Sequence, residues 1–248
     1  MRCGYSLDFC LLVNATLKRG ARWGLIATLV ILITPSVIIL ALRWVAPPWS
    51  AYMLRTHWQA QADGPTIYYH WVDIGDMAAC MPLAVVAAED QTFPYHRGFE
   101  WDALRTALAH NLSTQGQRLR GGSTISQQTA KNLFLWPTRS YARKAVEGYL
   151  TLWLELLWPK RRILEMYLNI AQFDDYVFGV GAAAQRLFGT TAAALTQRQC
   201  AALAAVLPAP RRFNAAAPSA YTQRRINWIM QQMRQLGQGY LADIVARK

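Results

Sequence analysis

Two acidic residues, Glu89 and Asp90, follow the wholly apolar run Ala84 to Ala88, so they leave the edge of a core rather than a solvated face. A carboxylate partly desolvated in this way takes up a proton near neutral pH, which makes Glu89 a candidate general base. An acid at a helix end, paired with an arginine, is the structural alternative. His96 stands seven residues on, and a histidine alone is more often a structural hydrogen-bonder than a catalyst. A second acid, Glu147, lies four residues after Arg143. The pair satisfies itself as an i,i+4 ion pair, yet beside Glu89 it also supplies the second carboxylate that glycosyl chemistry uses.

Between these acids runs GGSTISQQTAKNL, Gly121 to Leu133. Two glycines before Ser123 and Thr124 expose backbone N–H groups at a helix start, where anions and sugar hydroxyls bind. Thr124 with Gln127 fits a capping box. Gln127, Gln128 and Lys131 continue the polar stripe into a candidate sugar-phosphate groove, although such stripes also simply face solvent. Further along, KRRILEMYLN carries Glu165, Tyr167 and Asn169 on another polar face.

The elements that must hold these residues are helical. Three-and-four spacing predicts helices near Pro82–Asp90, Trp101–Leu112, Thr124–Leu135, Tyr141–Trp158, Lys160–Ile170, Val180–Phe188, Thr196–Leu207 and Pro218–Leu236. Thr66 to Val72 is the one expected strand, and everything after it reads as helical. One mainly α domain is expected.

A hydrophobic share of 53%, ten tryptophans and only 16% charged residues suggest contact with lipid. From Leu25 to Leu42 the chain has no charge, and Trp23 and Trp44 flank it. Eighteen residues nearly cross a hydrocarbon core of about 30 Å, so a retained transmembrane helix is expected over 25–45. The run exceeds the usual signal-peptide core, and no clean cleavage site follows. Lys18, Arg19 and Arg22 place residues 1–24 in the cytoplasm and 46–248 on the exoplasmic or periplasmic side. The formal charge of +12 favours an anionic partner. Nucleic acid is demoted because no recognised binding signature appears. The four cysteines show no metal-site spacing; Cys80 and Cys200 can pair on an oxidising side or remain separate thiols.

Taken together, the motifs resemble those of the peptidoglycan glycosyltransferases, the family 51 enzymes. That family occurs as a domain of class A penicillin-binding proteins and as monofunctional chains. EDQTFPYHRG, Glu89 to Gly98, is similar to its first motif, and GGSTISQQTAKNL to its second. Arg143 to Glu147, Ile163 to Asn169 and Ala201 to Pro210 follow in family order. The length suits the monofunctional type.

The resemblance implies a lysozyme-like catalytic lobe with a smaller membrane-associated lobe, in the bacterial cytoplasmic membrane. It implies lipid II as acceptor and the growing glycan chain on undecaprenyl pyrophosphate as donor. Glu89 matches the base for the acceptor 4-hydroxyl and Glu147 the second glutamate. Asp90, Phe93, His96, Gly98, Ser123, Thr124, Gln127, Gln128, Lys131, Asn132, Arg139, Arg143, Lys144, Glu165, Tyr167 and Asn169 match the substrate-binding set. A divalent cation, Mg or Mn, would help the pyrophosphate leave; no organic cofactor is implied, and other cell-wall synthesis proteins are potential partners. Glu100 replaces the usual aspartate, and Gln172, Asp174 and Tyr176 stand near positions where the family carries an acid and glycines. A glycan-cleaving enzyme and a degenerate lipid II-binding scaffold are the competing readings.

Overall fold

The computed structural model describes residues 5–60, 64–101, 122–136 and 140–246, with side chains omitted before Arg19 and at positions 21, 27, 29, 31 and 32. The described chain is mainly helical. Helix α1, Tyr5–Leu42, contains Pro35, and the hydroxyls of Thr34 and Ser36 donate back to the Val30 and Ile33 carbonyls nearby. Among the described side chains, no helix is long and apolar enough to cross a membrane.

The end of α1 is held by side chains of the folded domain. Trp158 donates its indole N–H to the Ile39 carbonyl, and Arg162 donates to the Leu42 and Val45 carbonyls. In return, Arg43 donates to the Leu157 carbonyl at 2.9 Å. These bonds satisfy carbonyls that a helix C-terminus otherwise leaves without partners. Helix α2, Ala51–Gln59, starts where the Ser50 hydroxyl accepts the Met53 N–H.

Three helices make the core around the first motif. Helix α3, Cys80–Glu89, is buried from Met81 to Ala87, which explains why it shows no polar face. It packs against α8, Gln197–Val206, and α9, Ala220–Leu236. Cys80 and Cys200 are joined by a disulfide between α3 and α8. Three more helices form the neighbouring layer: α4, Ile125–Phe134; α5, Tyr141–Leu157; and α6, Lys160–Ile170. The expected capping box is present at α4, where Thr124 and Gln127 exchange side-chain and backbone bonds. Such a cap is worth about 1 kcal/mol.

The strand expectation needs correction. β1 covers only Tyr68–Tyr69, and the stretch after α6 is not all helical. It contains β2, Gln172–Asp174, and β3, Val177–Phe178, in a sheet ordered β1-β3-β2. β1 runs parallel to β3, and β2 runs antiparallel to it. The strands are too short to display the alternation that identifies a sheet from sequence. Helix α7, Gly179–Phe188, follows and ends on Gly189 in the left-handed region; the short α10, Ala242–Val245, closes the described chain. The predicted helix near Trp101–Leu112 lies outside the described residues beyond Trp101.

Candidate active site

Glu89 is the last residue of α3, where the buried helix meets a polar cleft. Its carboxylate accepts one hydrogen bond from the Gln128 side chain at 3.0 Å and one from Arg225 at 3.2 Å. Burial holds its carboxyl above the usual glutamate range, while Gln128, Arg225 and Lys131 draw it back and Asp90 adds to the rise. The result is a carboxylate largely, though not wholly, shielded from bulk water that retains an acceptor role.

The first motif is folded onto α4 by the residue next door. Asp90 is buried, and its two oxygens contact His96 Nε2 at 3.0 and 2.9 Å. One of them also accepts the Ile125 N–H at 2.8 Å. His96 Nδ1 accepts the Gly98 N–H, so the proton sits on Nε2 and points at Asp90. The Gly98 carbonyl accepts the Thr124 hydroxyl at 2.7 Å. Gly98 has φ +84, and a Cβ there would lie 2.9 Å from the Thr151 methyl and 3.0 Å from Glu155 Cγ. Phe93 is fully buried, with the Lys160 ammonium 4.5 Å from its ring centre.

Glu147 is buried on α5 and holds Arg143 at 2.7 Å and Lys144 by a second ion pair. Lys144 also reaches the exposed Ser123 hydroxyl at 3.5 Å. Lys131 feels both glutamates. Burial pulls its ammonium below the ordinary lysine range; Glu147 opposes this, Arg143 and Lys144 reinforce it, and Glu89 opposes it more weakly. A cation-rich patch of this kind stabilises a developing anion.

Gln128, Lys131, Asn132 and Tyr167 line a cavity of about 170 Å³, joined by Tyr52, Gln172, Leu207, Pro208 and Pro210. Tyr167 is buried and donates its hydroxyl to the Gln128 carboxamide oxygen at 3.1 Å, which turns the Gln128 amide group toward Glu89. Burial raises the Tyr167 phenol well above its ordinary value, and Glu89 and Asp90 add to the effect. It remains a neutral donor.

Several expected substrate contacts have other work in the fold. Glu165 accepts the Ile74 N–H at 3.0 Å and pairs with Arg162 at 2.6 Å. Asn169 bonds both the N–H and the carbonyl of Val72 and also the Glu165 carbonyl. The Gln127 carboxamide oxygen accepts the Thr124 N–H, while Asp90, His96, Gly98 and Thr124 are joined by the hydrogen bonds above and Phe93 packs edge-on against His96. Arg139 lies outside the described residues. Glu100 is partly buried.

Gln172 is buried in β2 and donates to the Asp174 carbonyl. Tyr176 occupies a left-handed conformation with φ +59. Its carbonyl accepts the Tyr68 N–H, so this turn ties β1 to the sheet. Arg225 and Tyr52 escaped sequence reasoning. Arg225 belongs to a charge run on an amphipathic helix that otherwise reads as solvated, and nothing in the sequence singles out Tyr52.

The oxygens that Glu147 could offer a divalent cation already have partners. Glu147 is filled by two cations, and among the described residues no group of three or more His, Cys, Asp or Glu side chains converges.

Two glutamates in a helical domain, one desolvated beside Gln128 and Arg225 and the other paired with two cations, supply the two carboxylates that enzymes making or breaking glycosidic bonds use. Comparison with known proteins narrows that class. The chain belongs to the transglycosylase family, whose model, described as Transglycosylase, matches residues 60–234. It is 47% identical to the biosynthetic peptidoglycan transglycosylase of Xanthomonas campestris pv. campestris strain B100, over 90% of this chain and 92% of the relative. Its similarity to the protein of the same description from Xylella fastidiosa strain 9a5c is 48%, over 92% and 95%. The corresponding protein of Xanthomonas oryzae pv. oryzae is 48% identical over 89% and 90%.

Proposed function

We propose that this chain polymerises lipid II into peptidoglycan glycan strands, with Glu89 as general base. The observation that carries the reading is the setting of Glu89, desolvated, oriented by Gln128 and Arg225, and under the influence of Lys131, which in turn feels Glu147, Arg143 and Lys144. Glu89 takes the proton from the acceptor 4-hydroxyl as that oxygen attacks the donor anomeric carbon. The configuration inverts, and the undecaprenyl pyrophosphate departs with its bonding electron pair. Lys131, Arg143 and Lys144 neutralise the charge that develops on the leaving group, and Glu147 fixes two of those cations. Arg139 is placed with this group by its motif position alone.

The finer architecture proposed is a lysozyme-like catalytic lobe and a membrane-associated lobe, with residues 1–24 cytoplasmic, 25–45 spanning the bilayer and 46–248 periplasmic. Support comes from the uncharged run Leu25 to Leu42, from exposed Trp23 and Trp44 at its ends, and from Trp49 and Trp58, exposed around α2. Such tryptophans favour the bilayer interface. The partners proposed are lipid II, the growing glycan and other wall-synthesis proteins of the same membrane.

Purified full-length protein incubated with lipid II is expected to make long strands. Glu89→Gln is expected to reduce the rate at least about a hundredfold, the lower end of general-base contributions. Undiminished polymerisation by that variant refutes the role of Glu89. Fragments released from finished cell wall, without consumption of lipid II, refute the synthetic direction.

A further inference from the structure

The transfer chemistry has no use for sulfur, yet a disulfide ties Cys80 to Cys200 across 120 positions, with their Cα atoms 6.0 Å apart. The two sulfurs are not equivalent. Cys200 is fully buried in α8, whereas Cys80 is partly exposed and lines a cavity of about 410 Å³ with Leu83, Gln197, Met233 and Arg234. This cavity shares no lining residue with the one at Gln128 and Lys131. Cys80 is also the first residue of the ten-residue α3, whose N-terminus has no side-chain cap. A helix N-terminus favours a thiolate, the form that enters exchange, while an apolar interior disfavours it.

The position of the bond connects it to the candidate site. α3 begins at Cys80 and ends at Glu89; α9 packs on both α3 and α8 and brings Arg225 to Glu89. Beyond α8 the chain continues into Leu207, Pro208 and Pro210 of the polar cavity.

We propose that Cys80 is the entry point for thiol–disulfide exchange with a dithiol–disulfide oxidoreductase in an oxidising compartment, and that the resulting bond to Cys200 locks Glu89 in place. In formation, the Cys80 thiolate attacks the partner's disulfide and one partner sulfur leaves as a thiolate. The Cys200 thiolate then attacks Cys80 Sγ and expels the second partner sulfur. Two electrons and two protons pass from the cysteines to the partner, which ends as a dithiol. Reduction runs the other way, with attack at Cys80 and Cys200 as the leaving thiolate. The lock's effect on turnover rests on the reading of Glu89 as base; the exchange site does not.

The test uses full-length protein in detergent, reduced with dithiothreitol and briefly alkylated with iodoacetamide under native conditions. Peptide-resolved mass spectrometry separates these sites from Cys3 and Cys10. Cys80 is expected to react at least tenfold faster than Cys200; equal rates, or Cys200 first, overturn the entry role. Before reduction neither is expected to react, and labelling at that stage overturns the bond. With oxidised glutathione, reduced Cys200→Ala is expected to retain glutathione on Cys80, whereas reduced Cys80→Ala retains none on Cys200. The opposite pattern overturns the proposed order.

Reduction is expected to slow lipid II polymerisation several-fold, reversibly, and to leave the Cys80→Ala/Cys200→Ala double variant unresponsive. Unchanged turnover of reduced native protein overturns the lock. Oxidised native protein that fails to polymerise at all refutes the polymerase reading instead, and the labelling result stands apart from it.

Discussion

Asp90→Asn separates a positioning role from contact with substrate. The native carboxylate accepts from His96 Nε2–H and from the Ile125 N–H at the start of α4. Asparagine has one oxygen; in the place of the shared carboxylate oxygen it keeps the Ile125 bond and one arm of the His96 contact, while its amide group replaces the other oxygen and meets the His96 N–H donor against donor. His96 cannot relieve this by moving its proton, because Nδ1 already accepts from Gly98. The charge that strengthened both bonds is lost, and with the buried donor–donor mismatch the expected total is about 2–4 kcal/mol. For a domain of this size that corresponds to a fall in Tm of about 5–15 °C. Thermal unfolding followed by circular dichroism measures the fall, and lipid II kinetics well below the transition are expected to show KM within about twofold of native. The double variant Asp90→Asn/His96→Asn is expected to be non-additive by about 1–3 kcal/mol. An Asp90→Asn protein with native Tm and a strongly raised KM would refute the reasoning and put Asp90 on the substrate.

Arg225→Met removes a cation that draws the Glu89 carboxyl down. Glu89 then needs a higher pH to ionise, so the acid limb of the kcat/KM profile is expected to move upward in pH; an unmoved limb separates Arg225 from the base. Tyr176→Gly relieves a left-handed backbone at φ +59 at the cost of a more flexible unfolded chain, and a net gain of about 0.5–1 kcal/mol is expected in denaturant titration.

Much of the site was legible because local rules govern it. The Thr124–Gln127 box sets the start of α4 and thereby the places of Gln128 and Lys131, and the apolar run before Glu89 forecasts its desolvation. The contact between Arg225 and Glu89 spans 136 positions, and no local pattern encodes it. Glu165 and Asn169 show a different limit of sequence reasoning. A polar residue on a buried helix face has the same spacing whether it meets a ligand or the chain's own backbone, and here both bond the segment from Val72 to Ile74. β2 and β3 are too short to display alternation, so their pairing with β1 emerges only from tertiary contact.

The grip of Arg162 on the last carbonyls of α1 has a mechanical meaning. The same guanidinium holds Glu165, whose carboxylate holds Ile74. A pull along α1 therefore loads α6 directly instead of first taking up slack in a tether. In the proposed anchored state, the bilayer-seated helix would carry the cleft with it as one body.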